Sequence, residues 1–117
     1  MSIEAQLTTA LKAICPRTFP LVAPTSTERP YVTYQLIGGR ALGYLDNSAA
    51  DKRHSLVQVD VFADTLFSAK QTIRAIEDAL RASVVFTATP EAEPRDDYDH
   101  DMLRFRSSQD FSIHSTR

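Results

Sequence analysis

The chain has 117 residues, 43% hydrophobic and 24% charged, with a net charge of −2; that length supports one domain over 1–117 with a single core. This composition excludes a disordered chain, and the slight negative charge argues against a dedicated nucleic-acid binder, which displays a concentrated basic patch. No run approaches the ~18 apolar residues of a membrane span, and the start, MSIEAQLTTALKAIC, has neither a basic head nor a cleavage-site pattern, so a cytoplasmic protein making no membrane contact is expected.

Ser2 is placed to cap a first helix, in which Ile3, Leu7, Ala10, Leu11 and Ile14 fall on one apolar stripe of a 3.6-residue period. Pro16 ends it. The single cysteine, Cys15, has no second thiol for a disulfide or a CxxC site and reads as a packing residue at the helix end. From Pro16 to Pro30 the chain holds four of its six prolines, which predicts an extended connector with at most a short edge strand.

YVTYQLI, 31–37, is rich in β-branched and aromatic residues and predicts a strand with Val32, Tyr34 and Leu36 on one side and Tyr31, Thr33 and Gln35 on the other. After a glycine-containing loop, SLVQVDVFA alternates more cleanly, with Val57, Val59 and Val61 facing the core and Gln58, Asp60 and Phe62 facing away. Asp64 is the expected cap of a second helix, whose apolar positions Leu66, Ala69, Ile73, Ile76 and Leu80 repeat at three and four residues to about Ala82. On its outer face Arg74 with Asp78, and Glu77 with Arg81, have i,i+4 spacing.

VVFTAT, 84–89, is too short for a helix and reads as a strand. In MLRFRSSQDFSIH, Leu103, Phe105, Phe111 and Ile113 share one face and Arg104, Arg106, Asp110 and His114 the other, a long half-buried strand. The predicted fold is therefore α+β, an antiparallel, mainly four-stranded sheet with two helices packed on one face, in the order α-β-β-α-β-β. Its expected core is Leu7, Leu11, Val32, Tyr34, Leu36, Val57, Val59, Val61, Ile73, Ile76, Leu80, Leu103 and Phe105.

Between the last two strands, PEAEPRDDYDHD holds six acids and one base, against nine acids and twelve bases elsewhere. One segment is strongly acidic and the body mildly basic. DDYDHD lacks the alternating oxygens, central glycine and bidentate glutamate of a calcium loop, so a solvated acidic loop is expected there in place of a metal site. His54, His100 and His114 lie in different segments without a ligand at metal spacing. No GxSxG elbow, triad setting or phosphate loop occurs, and nothing apolar surrounds Asp96 and Asp97 to raise a carboxyl for acid catalysis. Neither an enzyme nor a bound cofactor is expected.

GGRALGYLDNSAADKR, 38–53, contains all three glycines and is longer than the turn a hairpin needs. Leu42, Tyr44 and Leu45 lie within it. Either this arm folds back over the open face of the sheet, or it orders against a neighbouring subunit, since an exposed apolar cluster generally marks a contact.

RPYVTYQ, then RHSLVQVDVFA before a helix with AIEDAL, then RDDYDHDMLRFR, together resemble the tail-completion family of long-tailed bacteriophages and prophages. The resemblance runs from the first helix almost to the C-terminus; Phe62 stands where a tryptophan is expected in many relatives. It implies a structural protein similar to tail terminators, which form a ring, typically of six, on the head-proximal end of a finished tail tube. The partners so implied are further copies of the chain, the tail tube protein and head-tail connector proteins, met in the host cytoplasm during assembly and then in the virion tail. A ring needs two different patches on each subunit. The arm, with Arg40, Leu42, Tyr44 and Leu45, is the candidate for one, and the outer sheet face, with Gln58, Asp60, Phe62, Arg104 and Arg106, for the other. Asp96, Asp97 and Asp99 would either face a neighbour's basic strand and set register, or line a channel and repel passing DNA. The alternative without the resemblance is a small oligomeric α+β binding module, which predicts a compact apolar pocket with convergent polar groups.

Overall fold

The computed structural model describes residues 3–24, 27–41 and 52–116. In chain order these form α1 (Ile3–Ile14), β1 (Thr18–Pro20), β2 (Tyr31–Gly38), β3 (Lys52–Ala63), α2 (Leu66–Arg81), β4 (Phe86–Pro90), β5 (Arg95–Asp99) and β6 (Arg104–Thr116). The predicted Ser2 cap lies outside the described residues.

The α+β class holds, but the sheet has six strands and is mixed, with β1-β2-β3-β6-β4 in order and β5 also on β6. β1 runs parallel to β2, pairing Thr18 with Val32 and Pro20 with Tyr34. At three residues beside Pro20 it is too short to show a period of two, so the connector hid it. β4 and β5 lie end to end along β6, Phe86–Pro90 on its C-terminal half and Arg95–Asp99 on its N-terminal half. The acidic segment expected as a solvated loop is thus partly a strand. VVFTAT contributes a strand only from Phe86, and Val84 and Val85 are exposed before it.

Both helices supply the core on one face of the sheet. Leu7 and Leu11 of α1 and Ala69, Ile73, Ile76 and Leu80 of α2 join Val32, Tyr34, Val57, Val59, Val61, Phe111 and Ile113 in one buried cluster. Every second residue of β3 from Ser55 to Ala63 is buried, the alternation expected of a strand covered on one side. Phe86, Phe111 and Ile113 are additional large core residues. Leu36 instead lies 40% exposed near the end of β2, and Leu103 lies 69% exposed in the turn before β6 with φ of 51°. Phe105 packs against the core from its edge. The α2 cap is Thr65, whose Oγ1 accepts from the Ser68 N–H at 3.1 Å; Asp64 instead pairs with Arg29 at 3.0 Å.

Candidate functional site

Antiparallel registry sends alternate residues of β2, β3, β5 and β6 to the face that the helices leave open. Tyr31, Phe62, Arg106 and Asp97 form one row across it, and Thr33, Asp60, Ser108 and Arg95 the next. The five outer-face residues expected from the sequence, Gln58, Asp60, Phe62, Arg104 and Arg106, therefore do come together. Tyr31, Arg95 and Ser108 belong with them. The period of two already put Tyr31 on this side, whereas Arg95 needed the unforeseen β5.

One half of the face is a polar network. The Gln58 amide donates to both oxygens of Asp60 at 3.2 Å and to Ser108 Oγ at 3.3 Å, and Arg95 donates to Ser108 Oγ at 3.2 Å and to Asp110 at 3.5 Å. The other half is aromatic and cationic. Tyr31 and Phe62 stack with centroids 4.9 Å apart, and the Arg104 guanidinium lies 4.3 Å from the Phe62 centroid while donating to the Tyr31 hydroxyl. Asp99 holds Arg104 from the far side at 3.1 Å. Burial of Tyr31, on the side away from the helices, follows from this stack.

The acidic residues divide by parity. Asp97 meets Arg106 at 3.5 Å on the outer face. Asp96 points to the helices, where its carboxylate accepts from Ser107 Oγ at 2.6 Å and pairs with Lys70 of α2 at 3.0 Å. The Ser107 hydroxyl, aided by Lys70, holds the Asp96 carboxyl below its usual range against the opposing effect of burial. Asp99 is held low by the Met102 N–H, with Asp101 N–H and Arg104 adding to it. Asp96, Asp97 and Asp99 are thus paired within the chain, with Lys70, Arg106 and Arg104.

Two clefts flank the Phe62–Arg104 ridge. One, of ≈ 380 Å³, is bordered by Asp97, Tyr98, Asp99, His100 and Arg106. The other, of ≈ 370 Å³, lies between the 21–24 segment and the sheet, with Leu21, Val22, Tyr31, Phe62 and Met102 as its apolar lining. Among the described residues no three His, Cys, Asp or Glu side chains converge as a metal site requires, and no helix is long and apolar enough to cross a membrane.

Arg40 stands apart, at the other end of the sheet. Its N–H donates to His54 Nδ1 at 2.9 Å, and His54 Nε2 meets Ser112 Oγ at 2.7 Å, with the His114 ring 4.7 Å away. Gly39, at φ of 144°, passes so close to β3 that a Cβ would lie 2.3 Å from the His54 carbonyl oxygen, which only glycine avoids. The root of the arm is thereby fastened to β3. Leu42, Tyr44 and Leu45 lie outside the described residues.

The outer face thus carries paired charges, stacked rings and two clefts. Among curated proteins, none matches the chain. The family described as Tail completion protein gp17 matches residues 3–115. That match spans both helices and nearly the whole six-stranded sheet, so the chain belongs to this tail completion family of phages, whose role lies in tail assembly.

Proposed function

We propose that this protein caps the head-proximal end of the tail tube as a closed ring of identical copies, six when assembled, and helps join tail to head. The observation that carries this reading is the family match over 3–115. The geometry supports it: a heterologous ring requires two different patches on each subunit, and the outer face and the arm root at Arg40 lie at separate places on the sheet. The protein works by adhesion, with the tail tube, connector proteins and its own copies as partners.

Asp97 and Asp99 are already engaged by Arg106 and Arg104. A neighbour's strand that contacts them must exchange these pairs, which favours discrimination between partners over affinity. Asp96 is tied to Lys70 and Ser107, so its part is to hold β5 against α2. Electron microscopy of tails assembled without the protein tests the reading. Overlong or headless tails are expected; tubes of normal length joined to capsids would refute it.

A further inference from the structure

We infer that the free edge of β4 is an interface, which pairs with the β4 edge of a second copy, antiparallel and about a two-fold axis at Thr87. This contact is separate from the head-to-tail contacts of a ring, and it shares no residue with the outer-face cluster or the arm root.

An edge strand presents unpaired N–H and C=O groups, and proteins guard such edges with charges, proline or brevity. β1 has three residues and ends at Pro20, and β5 carries Arg95, Asp96, Asp97 and Asp99 among its five. β4 lacks these guards until Pro90. From Val84 to Thr89 the chain reads VVFTAT, six residues of high β propensity with no charge and no proline, a composition that pairs readily with a like strand. Val84 is 98% and Val85 52% exposed, and Thr87 and Thr89 are exposed as well.

Registry shows which backbone groups are free. The Glu91 N–H donates to the Asp110 carbonyl at 2.9 Å, and the pairs Thr89↔Ser112 and Thr87↔His114 continue that row, so the odd-numbered residues turn their N–H and C=O toward β6. Phe86, Ala88 and Pro90 turn theirs outward, and Pro90, which has no N–H, takes nothing from the ladder there. The outward groups of Phe86 and Ala88 have no partner among the described residues.

The edge complements itself. Setting Thr87 against the partner's Thr87 places Phe86 opposite the partner's Ala88 and Ala88 opposite the partner's Phe86, so the outward N–H groups of both copies find carbonyls and a large side chain meets a small one. Charge fixes the direction. Arg81, its side chain 56% exposed, precedes β4, and the exposed Glu91 and Glu93 follow it. An antiparallel partner brings opposite charges toward each other at both ends, whereas a parallel one sets like against like. A two-fold contact of this kind uses the same patch on both copies and is the commonest closed symmetry.

Sedimentation equilibrium of the full chain, without tail tubes, is the test. The natural protein should show a monomer–dimer equilibrium, and one that stays monomeric in concentrated solution overturns the inference. Thr87→Lys and Thr87→Glu, at an exposed position, should each keep the melting temperature and weaken dimerisation at least tenfold, because like charges then meet on the axis, and mixing the two variants should restore it. Association that neither substitution weakens, or that mixing does not restore, overturns the contact. Under oxidation Thr87→Cys should cross-link at least tenfold more than Thr89→Cys, which the register sets away from the partner's Thr89; equal yields likewise overturn it. A hexamer indifferent to both charged substitutions would refute the β4 contact alone. Normal tails in the absence of the protein, with the dimer intact, would refute only the capping role.

Discussion

The two faces of β6 both carry polar side chains, yet they use them differently. On the helix-covered face Ser107 and Gln109 are fully buried: the Ser107 hydroxyl donates to Asp96, and Gln109 Nε2 donates to Glu77 of α2 at 2.8 Å and to the Ala92 carbonyl at 2.9 Å. On the open face Arg104, Arg106 and Asp110 lie half-exposed in pairs with Asp99, Asp97 and Arg95 that water competes for. The inner polar groups fix where α2 and β5 dock, because a buried group left unmatched is costly. The outer pairs, partly open to water, contribute less to folding. Similar residues thus serve fold specificity on one side and, in the proposed ring, adhesion on the other.

The largest break in this comparison comes from the inner face. Phe111 is fully buried between the sheet and the helices, and Phe111→Ala should cost ~3–5 kcal/mol in urea or thermal unfolding, a large share of what a domain of this size has. A loss below 1 kcal/mol would mean that α2 does not seal this face.

Acid should act on the inner face next. The Gln109 amide, with Arg81 helping, holds Glu77 below its usual 4.5 despite the opposing effect of burial, and Ser107 does the same for Asp96 below 3.8. A carboxylate whose folded value is depressed stabilises fully above its unfolded value and loses that contribution as pH falls through the folded one. The melting temperature should therefore hold from pH 7 to about 5 and fall below pH 4.5. Glu77→Gln keeps the shape and removes the charge, which should cost ~1–2 kcal/mol at pH 7. The gap from the natural protein should shrink toward pH 3, and a gap constant across that range would remove Glu77 from the account.

Much of this was readable from local pattern. The alternation of β3 separates Val57, Val59 and Val61 from Gln58, Asp60 and Phe62, and the structure puts each set on its own face. α2 shows its stripe just as plainly, although Asp64 and Thr65 are both capping types and only geometry chooses Thr65. β5 was not readable, because an acidic run with no apolar alternation becomes a strand only when Lys70, Arg104 and Arg106 are brought to it from other elements. The cleft beside Tyr31 was hidden for the same reason: Leu21 and Val22 sit in a proline-rich connector whose path the sheet decides.

Asp96 and Asp97 give the smallest and most discriminating test, since they are neighbours in β5 that point to opposite faces. At Asp96, Asn keeps one acceptor for Ser107 but loses the charge paired with Lys70, on a side chain 32% exposed, and should cost ~1 kcal/mol. At Asp97, Asn keeps an acceptor for the Tyr98 N–H and loses only a 3.5 Å pair with Arg106, the two side chains 64% and 41% exposed, and should change stability by less than ~0.5 kcal/mol. Salt should separate them as well, because exposed pairs are screened more strongly than sheltered ones. Raising the ionic strength from 0.01 to 1 M should erase the effect of Asp97→Asn and leave most of that of Asp96→Asn. Equal and equally salt-sensitive losses would show that β5 has no sheltered side, and the division of labour between the two faces of the sheet would fall with it.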